Sequence, residues 1–233
     1  MADSRVLYAG STASTAERVS AFLTKVYGWM FIGLGITAAV AYFVASSPAL
    51  TTALMQNRLI FFALVLVELG LVFFLSARVQ SLEPGTAAGL FVGYAALNGV
   101  TLSLILLIYT GASIGMTFVV TGAMFGALAV YGTTTSRSLA GVGQFFFMGL
   151  IGLVLASIVG MFWHNDALQF LITVVGVIVF TGLTAWDAQR LKQMGAELPE
   201  GQSGAYAIVG ALSLYLNFVN LFLMLLRLQG RRD

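Results

Sequence analysis

The sequence predicts an all-α integral membrane protein, built as a single bundle of seven transmembrane helices. Three observations carry this reading. The 233 residues are 59% hydrophobic and only 9% charged, whereas an ordinary soluble domain is about 25% charged, and the mean hydropathy is +0.96. Seven apolar stretches approach or exceed the roughly 20 residues that a helix needs to cross a hydrocarbon core. The connections between them are short, and none could bury a core of its own.

In chain order, residues 1–25 form a polar, Ser/Thr-rich tail with no apolar run before a small-residue cleavage site, so the first span must itself serve as the targeting signal. The seven-helix domain covers residues 26–227, with spans at 26–45, 59–77, 86–109, 111–132, 141–163, 167–187 and 205–226, followed by a short basic tail at 228–233. Gly89-x-x-x-Gly93 in the third span and Gly122-x-x-x-Gly126 in the fourth place small residues on one helix face. Gly152, Ala156 and Gly160 repeat that spacing in the fifth. Such spacing permits close helix approach, read here as packing within the bundle. The connection 189–204 holds Glu197, Pro199, Glu200 and Gly201 and reads as a solvated turn. No internal repeat of the kind found in inverted-repeat transporters is evident.

The distribution of Lys and Arg sets the expected orientation. With seven crossings, Arg5, Arg18, Lys25, Arg78, Arg137, Arg190 and Lys192 share the side of the N-terminus, against Arg58, Arg227, Arg231 and Arg232. This excess places the N-terminus in the cytoplasm and the C-terminus opposite, although a re-entrant last segment would return the C-terminal arginines inside. The net charge of +2 comes from dispersed basic residues, without the basic stripe of a nucleic-acid binder. Cysteine is absent, which excludes disulfides and thiolate metal sites.

The polar groups inside the spans are few. Glu68 has nine uncharged residues on each side within 59–77, and a carboxylate at that depth costs about 2.5 to 3.5 kcal/mol on insertion scales, so it must face a bundle interior or a water-filled cavity. Asp187 ends the sixth span, and Asn98, Gln144, Asn217 and Asn220 supply amides, whose usual role between membrane helices is hydrogen bonding. Arg78 follows Glu68 by ten residues, about 15 Å along a helix, which brings it to the expected depth of Asp187. Asp187 has a second candidate partner in Arg190 or Lys192. His164, beside Trp163 in a short loop, reads as an interfacial residue. No catalytic chemistry is indicated: the lysines Lys25 and Lys192 lie outside the spans, the sole histidine is in a loop, and Glu68 and Asp187 are expected at different depths.

The segments GLTAWDAQRLK (182–192) and GALSLYLNFVNLFLMLLR (210–227) resemble the bacterial branch of the Bax inhibitor-1 family, the transmembrane Bax-inhibitor-motif proteins. The resemblance extends through KVYGWM (25–30), LSLILLIYTGASIGMTFVVTGAMFGALAVYG (102–132) and GLIGLVLAS (149–157). It implies a bundle whose last helix is surrounded by the other six, and a pH-sensitive calcium leak across the bacterial inner membrane. It also implies a proton-sharing latch of two acids, with an arginine of the second helix able to exchange partners. Asp187 matches the first acid, while Arg78 and Glu68 match the arginine and acid of the second helix. Trp186 stands where the family usually has Tyr, and Asn217 where it usually has the second acid. An amide can hydrogen-bond to Asp187, but it cannot take up the shared proton.

The expected function is therefore low-flux calcium movement, with calcium as cargo and no cofactor. Glu68 and Asp187 would be transient metal ligands, and Glu68, Arg78, Asp187, Asn217 and Asn220 the ion pathway and gate. Calcium takes 6 to 8 oxygen ligands, so two carboxylates with a few amide and backbone oxygens make a weak, transit-type site. The alternative is a non-conducting protein that binds and modulates a membrane-anchored AAA protease or other membrane proteins, with the tail 1–24 as its handle; in either case a monomer or weak oligomer is expected.

Overall fold

Within a membrane, backbone N–H and C=O groups have no water to bond, so a spanning segment must satisfy them internally. The structure, a computed structural model, describes residues 2–163, 165–199 and 203–231, and within them all side chains except those of residues 2–14, 58 and 161. His164, Glu200, Gly201 and Arg232 lie outside the described residues. These residues form helices without any strand: α1 (Ala2–Ala45), α2 (Pro48–Gln56), α3 (Arg58–Arg78), α4 (Pro84–Leu102), α5 (Ile105–Ile108), α6 (Gly111–Thr134), α7 (Ala140–Phe162), α8 (Asp166–Glu197) and α9 (Ser203–Gln229). Seven segments are long and apolar enough to span, the third of them running through both α4 and α5.

Several boundaries depart from the hydropathy reading. The first span is the outer part of one continuous 44-residue helix, about 66 Å long, so the polar tail extends α1 without a break. Between the first two spans lies α2, which begins at Pro48 after Ser47, an arrangement that favours helix initiation. Residues 86–109 are interrupted at Ser103, which is fully buried and donates its hydroxyl to the Val100 carbonyl at 2.6 Å. The expected turn from residue 189 onward is helical as far as Glu197. Its residues AQRLKQMGAE are mostly good helix formers, and Leu191 and Gly195 are buried there, Gly195 facing Phe22 of α1.

α9 is the most enclosed spanning segment: 67% of its most apolar window is buried, against 11 to 39% for the others. It packs on α1, α3, α4, α6 and α8, whereas α7 packs mainly on α8. One core cluster joins α1, α4 and α9 around Val26, Met30, Phe91 and Tyr215, and a second joins α7, α8 and α9 around Leu153, Phe180, Leu221 and Met224. Arg231 N–H donates to Ser113 Oγ at 3.0 Å, and the Arg231 carbonyl accepts from Thr110 N–H at 3.2 Å. The last helix thus runs the length of the bundle and ends beside the start of α6, away from the end that carries Lys25, Arg78 and Lys192.

Of the regularly spaced glycines, Gly160 lies at a close approach, an added Cβ there falling 2.9 Å from the Gln169 side chain of α8, and the others do not. A Cβ added at Gly89, Gly93, Gly122, Gly126 or Gly152 would meet nothing within 4 Å. Close approach also occurs elsewhere. At Gly99 an added Cβ would lie 2.7 Å from the Thr37 carbonyl and 2.8 Å from the Val40 side chain, and at Gly33 it would strike the Phe91 ring. These two glycines let α1 and α4 come close enough for the contacts described below. Gly99→Ala is expected to destabilise the bundle by about 1 to 3 kcal/mol through overpacking, whereas Gly93→Ala, in open space, should be neutral or stabilising by up to about 1 kcal/mol. Thermal unfolding of the two variants in detergent checks this pair.

Candidate functional site

α3 is largely peripheral, but it turns one polar group inward: Glu68 is 8% exposed, whereas its neighbours Val67 and Leu69 are about half exposed. Its carboxylate is held from α4. Asn98 Nδ2 donates to Oε2 at 3.3 Å, and the Thr101 hydroxyl donates to Oε1. Residues 98 and 101 are three apart, on one helix face, so α4 presents two donors together. The chain of bonds then continues into the core. Tyr215 of α9 donates its hydroxyl to Asn98 Oδ1 at 3.0 Å and lies 2.6 Å from Thr37 Oγ1 of α1, which is itself 2.8 Å from the Ala95 carbonyl. Tyr215 is fully buried, in edge-on contact with Phe91 and Tyr94.

Counting hydrogens shows what this chain can do. Three contacts, from Asn98 to Tyr215, Tyr215 to Thr37 and Thr37 to Ala95, draw on only two hydroxyl hydrogens. With the Asn98 amide donating to an ionised Glu68, one of the three has no hydrogen of its own. If Glu68 carries a proton and the amide turns over, every contact is filled in one direction: Glu68 to Asn98, Asn98 to Tyr215, Tyr215 to Thr37, Thr37 to Ala95. An amide is the group that can do this, since it presents a donor and an acceptor that exchange places on rotation. The network therefore accommodates both proton states of Glu68 by turning one side chain.

The second acid sits on the other side of α9. Asp187, 5% exposed, accepts at Oδ2 from the Ser213 hydroxyl at 2.7 Å and from Asn217 Nδ2 at 2.8 Å, and its Oδ1 lies 3.2 Å from Arg190 Nη2. Asn217 is thus a fixed donor to the acid. Arg190, three residues along the same helix, also stacks over the Trp186 ring at 5.2 Å, and that ring fills the space over Gly143 of α7. The aromatic residue at 186 is consequently part of the support for the ion pair.

Two of the expected positions lie apart from this cluster. Arg78 is exposed at the end of α3 and does not reach Asp187. A cavity of about 300 Å³, lined by Ser76 of α3, Val79 just after it, Arg190 and Ser213, lies beside them; Arg190 is nearer because it stands one turn from Asp187. Asn220 is half-buried and donates back to the Leu216 carbonyl of its own helix at 2.8 Å, without engaging a neighbour. α8 continues ten residues past Asp187, so this acid does not stand at a helix end.

Sequence reasoning missed Thr37, Thr101, Ser213 and Tyr215. The signal available was spacing: Asn98 and Thr101 three apart, Ser213 and Asn217 four apart, each pair on one helix face. It also missed Gln189, whose Oε1 accepts from Leu139 N–H at 2.8 Å and whose Nε2 donates to the Arg137 carbonyl at 2.9 Å. That side chain fixes the connection between α6 and α7.

Tyr215→Phe removes the bridging hydroxyl and leaves Thr37 and Asn98 short of a buried partner, with an expected loss of about 1 to 3 kcal/mol. Combined with Thr37→Val in a double-mutant cycle on thermal stability, it should give a coupling of about 0.5 kcal/mol or more. Strict additivity would mean that the two hydroxyls do not bond.

Comparison with known proteins places these motifs in a wider set. The family model described as "Inhibitor of apoptosis-promoting Bax1" matches residues 19–233. The inner membrane protein YbhL of Escherichia coli K12 is 50% identical over 214 residues, covering 91% of this chain and 92% of that protein. A protein of Borreliella burgdorferi is 43% identical over 213 residues (91% and 92%), and one of Deinococcus radiodurans 40% over 220 residues (94% of each).

Proposed function

The chain belongs to the Bax inhibitor-1 family, and we propose that it is a multi-pass protein of the bacterial inner membrane that lets calcium pass slowly through the bundle, with its basic end in the cytoplasm. The single observation that carries this reading is the burial of two carboxylates on opposite sides of one turn of α9, Asp187 bonded to that turn directly and Glu68 linked to it through Asn98. Each has neutral polar groups against it. Asn98 and Thr101 bond Glu68, with Tyr215 behind Asn98, while Ser213 and Asn217 bond Asp187 beside its Arg190 partner. Calcium binds oxygen, and a site of one carboxylate with amide and hydroxyl oxygens is of the weak kind that suits transit.

In this reading Glu68 is the pathway acid, for which calcium and a proton compete. Asp187, Asn217 and Ser213 close the basic end, with Arg190 neutralising Asp187 and Arg78 across the cavity as the alternative partner. Asn220, bonded within its own helix, has a subordinate role. One observation favours the second reading, control of a membrane-anchored AAA protease: α1 runs about 66 Å as one helix, which carries its first turns past the bundle as a handle for a partner. Deleting residues 1–14 separates the two, because calcium flux should survive and protease control should be lost.

The test of the leading reading is calcium efflux from loaded vesicles containing the purified protein, measured between about pH 5 and 8 to bracket neutral pH. Glu68→Gln keeps the shape and removes the charge, and is expected to lower efflux about tenfold or more while the protein stays folded, with Asn98 still able to bond the amide. Equal efflux from the variant and the parent protein would remove Glu68 from the pathway. No efflux from either above protein-free vesicles would end the calcium reading.

Asn217→Asp places two carboxyls within hydrogen-bonding distance, and like charges that close cannot both ionise readily. The variant should therefore acquire a steeper pH dependence of efflux than the parent protein. Superimposable profiles would show that position 217 is not a sensor.

A further inference from the structure

The largest of the described cavities lies away from both acids. It measures about 880 Å³ and is formed at the basic end by α1, the connection between α6 and α7, and α8. Among the described residues its charged lining residues are both cations, Arg137 and Lys192, and none is an acid. Hydroxyls of Ser20, Thr135, Ser136 and Ser138 surround them. Most of these residues are also exposed, so the cavity opens to solvent.

Neither cation is neutralised. Among the described residues the only ion pair is Asp187 with Arg190, and Lys192 Nζ donates to the Thr133 carbonyl at 2.6 Å, which holds the ammonium in place without cancelling its charge. Gln189 fixes the facing wall by bonding Leu139 N–H and the Arg137 carbonyl. α7 begins at Ala140, whose N–H donates to Ser138 Oγ at 3.4 Å, and the positive end of this 23-residue helix adds to the field at the rim. Glu17 stands on the same stretch of α1 but does not line the cavity.

From these features we propose that the cavity is a binding site for a phosphate-bearing anion. An arginine fork, an ammonium and several hydroxyls lining one cavity, with no carboxylate among the described lining residues, are the chemistry that recognises phosphate oxygens, and the volume falls within the range of small-molecule sites. The phosphate has two possible sources, a lipid headgroup of the adjoining leaflet or a soluble phosphate compound. This assignment is independent of calcium conduction.

The experiment uses the full chain in phosphatidylcholine nanodiscs, with unfolding temperature followed by tryptophan fluorescence while inorganic phosphate is titrated. A saturable rise is expected. Arg137→Gln should weaken the apparent affinity about tenfold, equivalent to one lost charged contact, and adding Lys192→Gln should abolish the response. Arg227→Gln, exposed at the opposite end, should leave it unchanged. Nanodiscs containing phosphatidylglycerol distinguish the sources: stabilisation without added phosphate, lost in the double variant, identifies a headgroup, whereas a response to free phosphate alone identifies a soluble ligand. The proposal is overturned if neither probe stabilises the protein, if chloride at equal ionic strength does as much, or if the double variant responds like the parent. Should Lys192→Gln fail to fold because Thr133 loses its donor, Arg137→Gln decides alone, and unchanged affinity there overturns the assignment.

Discussion

One turn of α9 ties the molecule together. Ser213 and Asn217 are four residues apart and share a face, while Tyr215, midway between them, lies about 200° round the helix from each. The first two bond to Asp187 of α8, and the third bonds to Asn98 of α4 and Thr37 of α1. Four helices are thus fixed in register by three side chains within about 6 Å of helix length. In hydrocarbon there is no hydrophobic force between helices, and association rests on packing and interhelical hydrogen bonds. A buried helix with polar groups on two faces is therefore a strong organiser, and the enclosure of α9 follows from it.

The same turn explains why the close approaches occur where they do. Thr37 can reach both Tyr215 and the Ala95 carbonyl only if α1 and α4 are nearly in contact, and Gly33 and Gly99 are the residues that permit it. The regular glycine pairs of α4 and α6 are not at contacts within the bundle. Glu68 depends on this arrangement in turn. Its helix is otherwise lipid-facing, and what holds its carboxylate is the pair of α4 donors whose positions the α1–α4–α9 core has set.

Much of this was legible in the sequence. Seven spans and the inward-facing Glu68 follow from an apolar pattern interrupted by a few polar residues, because burying such groups in lipid forces them to find partners, whereas the pairing of Asp187 with position 217 was implied by the family resemblance. What the sequence did not reveal depends on tertiary geometry. Thr37 is one hydroxyl in an apolar run, and nothing local distinguishes it from a threonine bonded to its own helix, as Thr121 and Thr184 are. Arg78 seemed level with Asp187 by counting along separate helices, but distance across the bundle depends on packing, and α3 is splayed enough to leave a cavity there. The extent of α8 was lost because hydropathy falls at Asp187 while helix propensity does not.

The substitution at position 217 gives the two acids different capacities. Asp187 receives two neutral donors and a guanidinium, and its Asn217 partner donates in every protonation state, so this cluster has no hydrogen to pass on. The Glu68 chain is the reverse case. It has one more contact than hydroxyl hydrogens, and an amide at its centre can turn when the acid gains a proton. In the proposed pathway the two sides of the α9 turn then divide the work: the Asp187 side is a fixed clasp between α8 and α9, and the Glu68 side is where proton occupancy alters bonding. Tyr215 belongs to that second side but shares its backbone turn with the clasp. A change in the Glu68 chain is therefore felt first at the point where all four helices are joined.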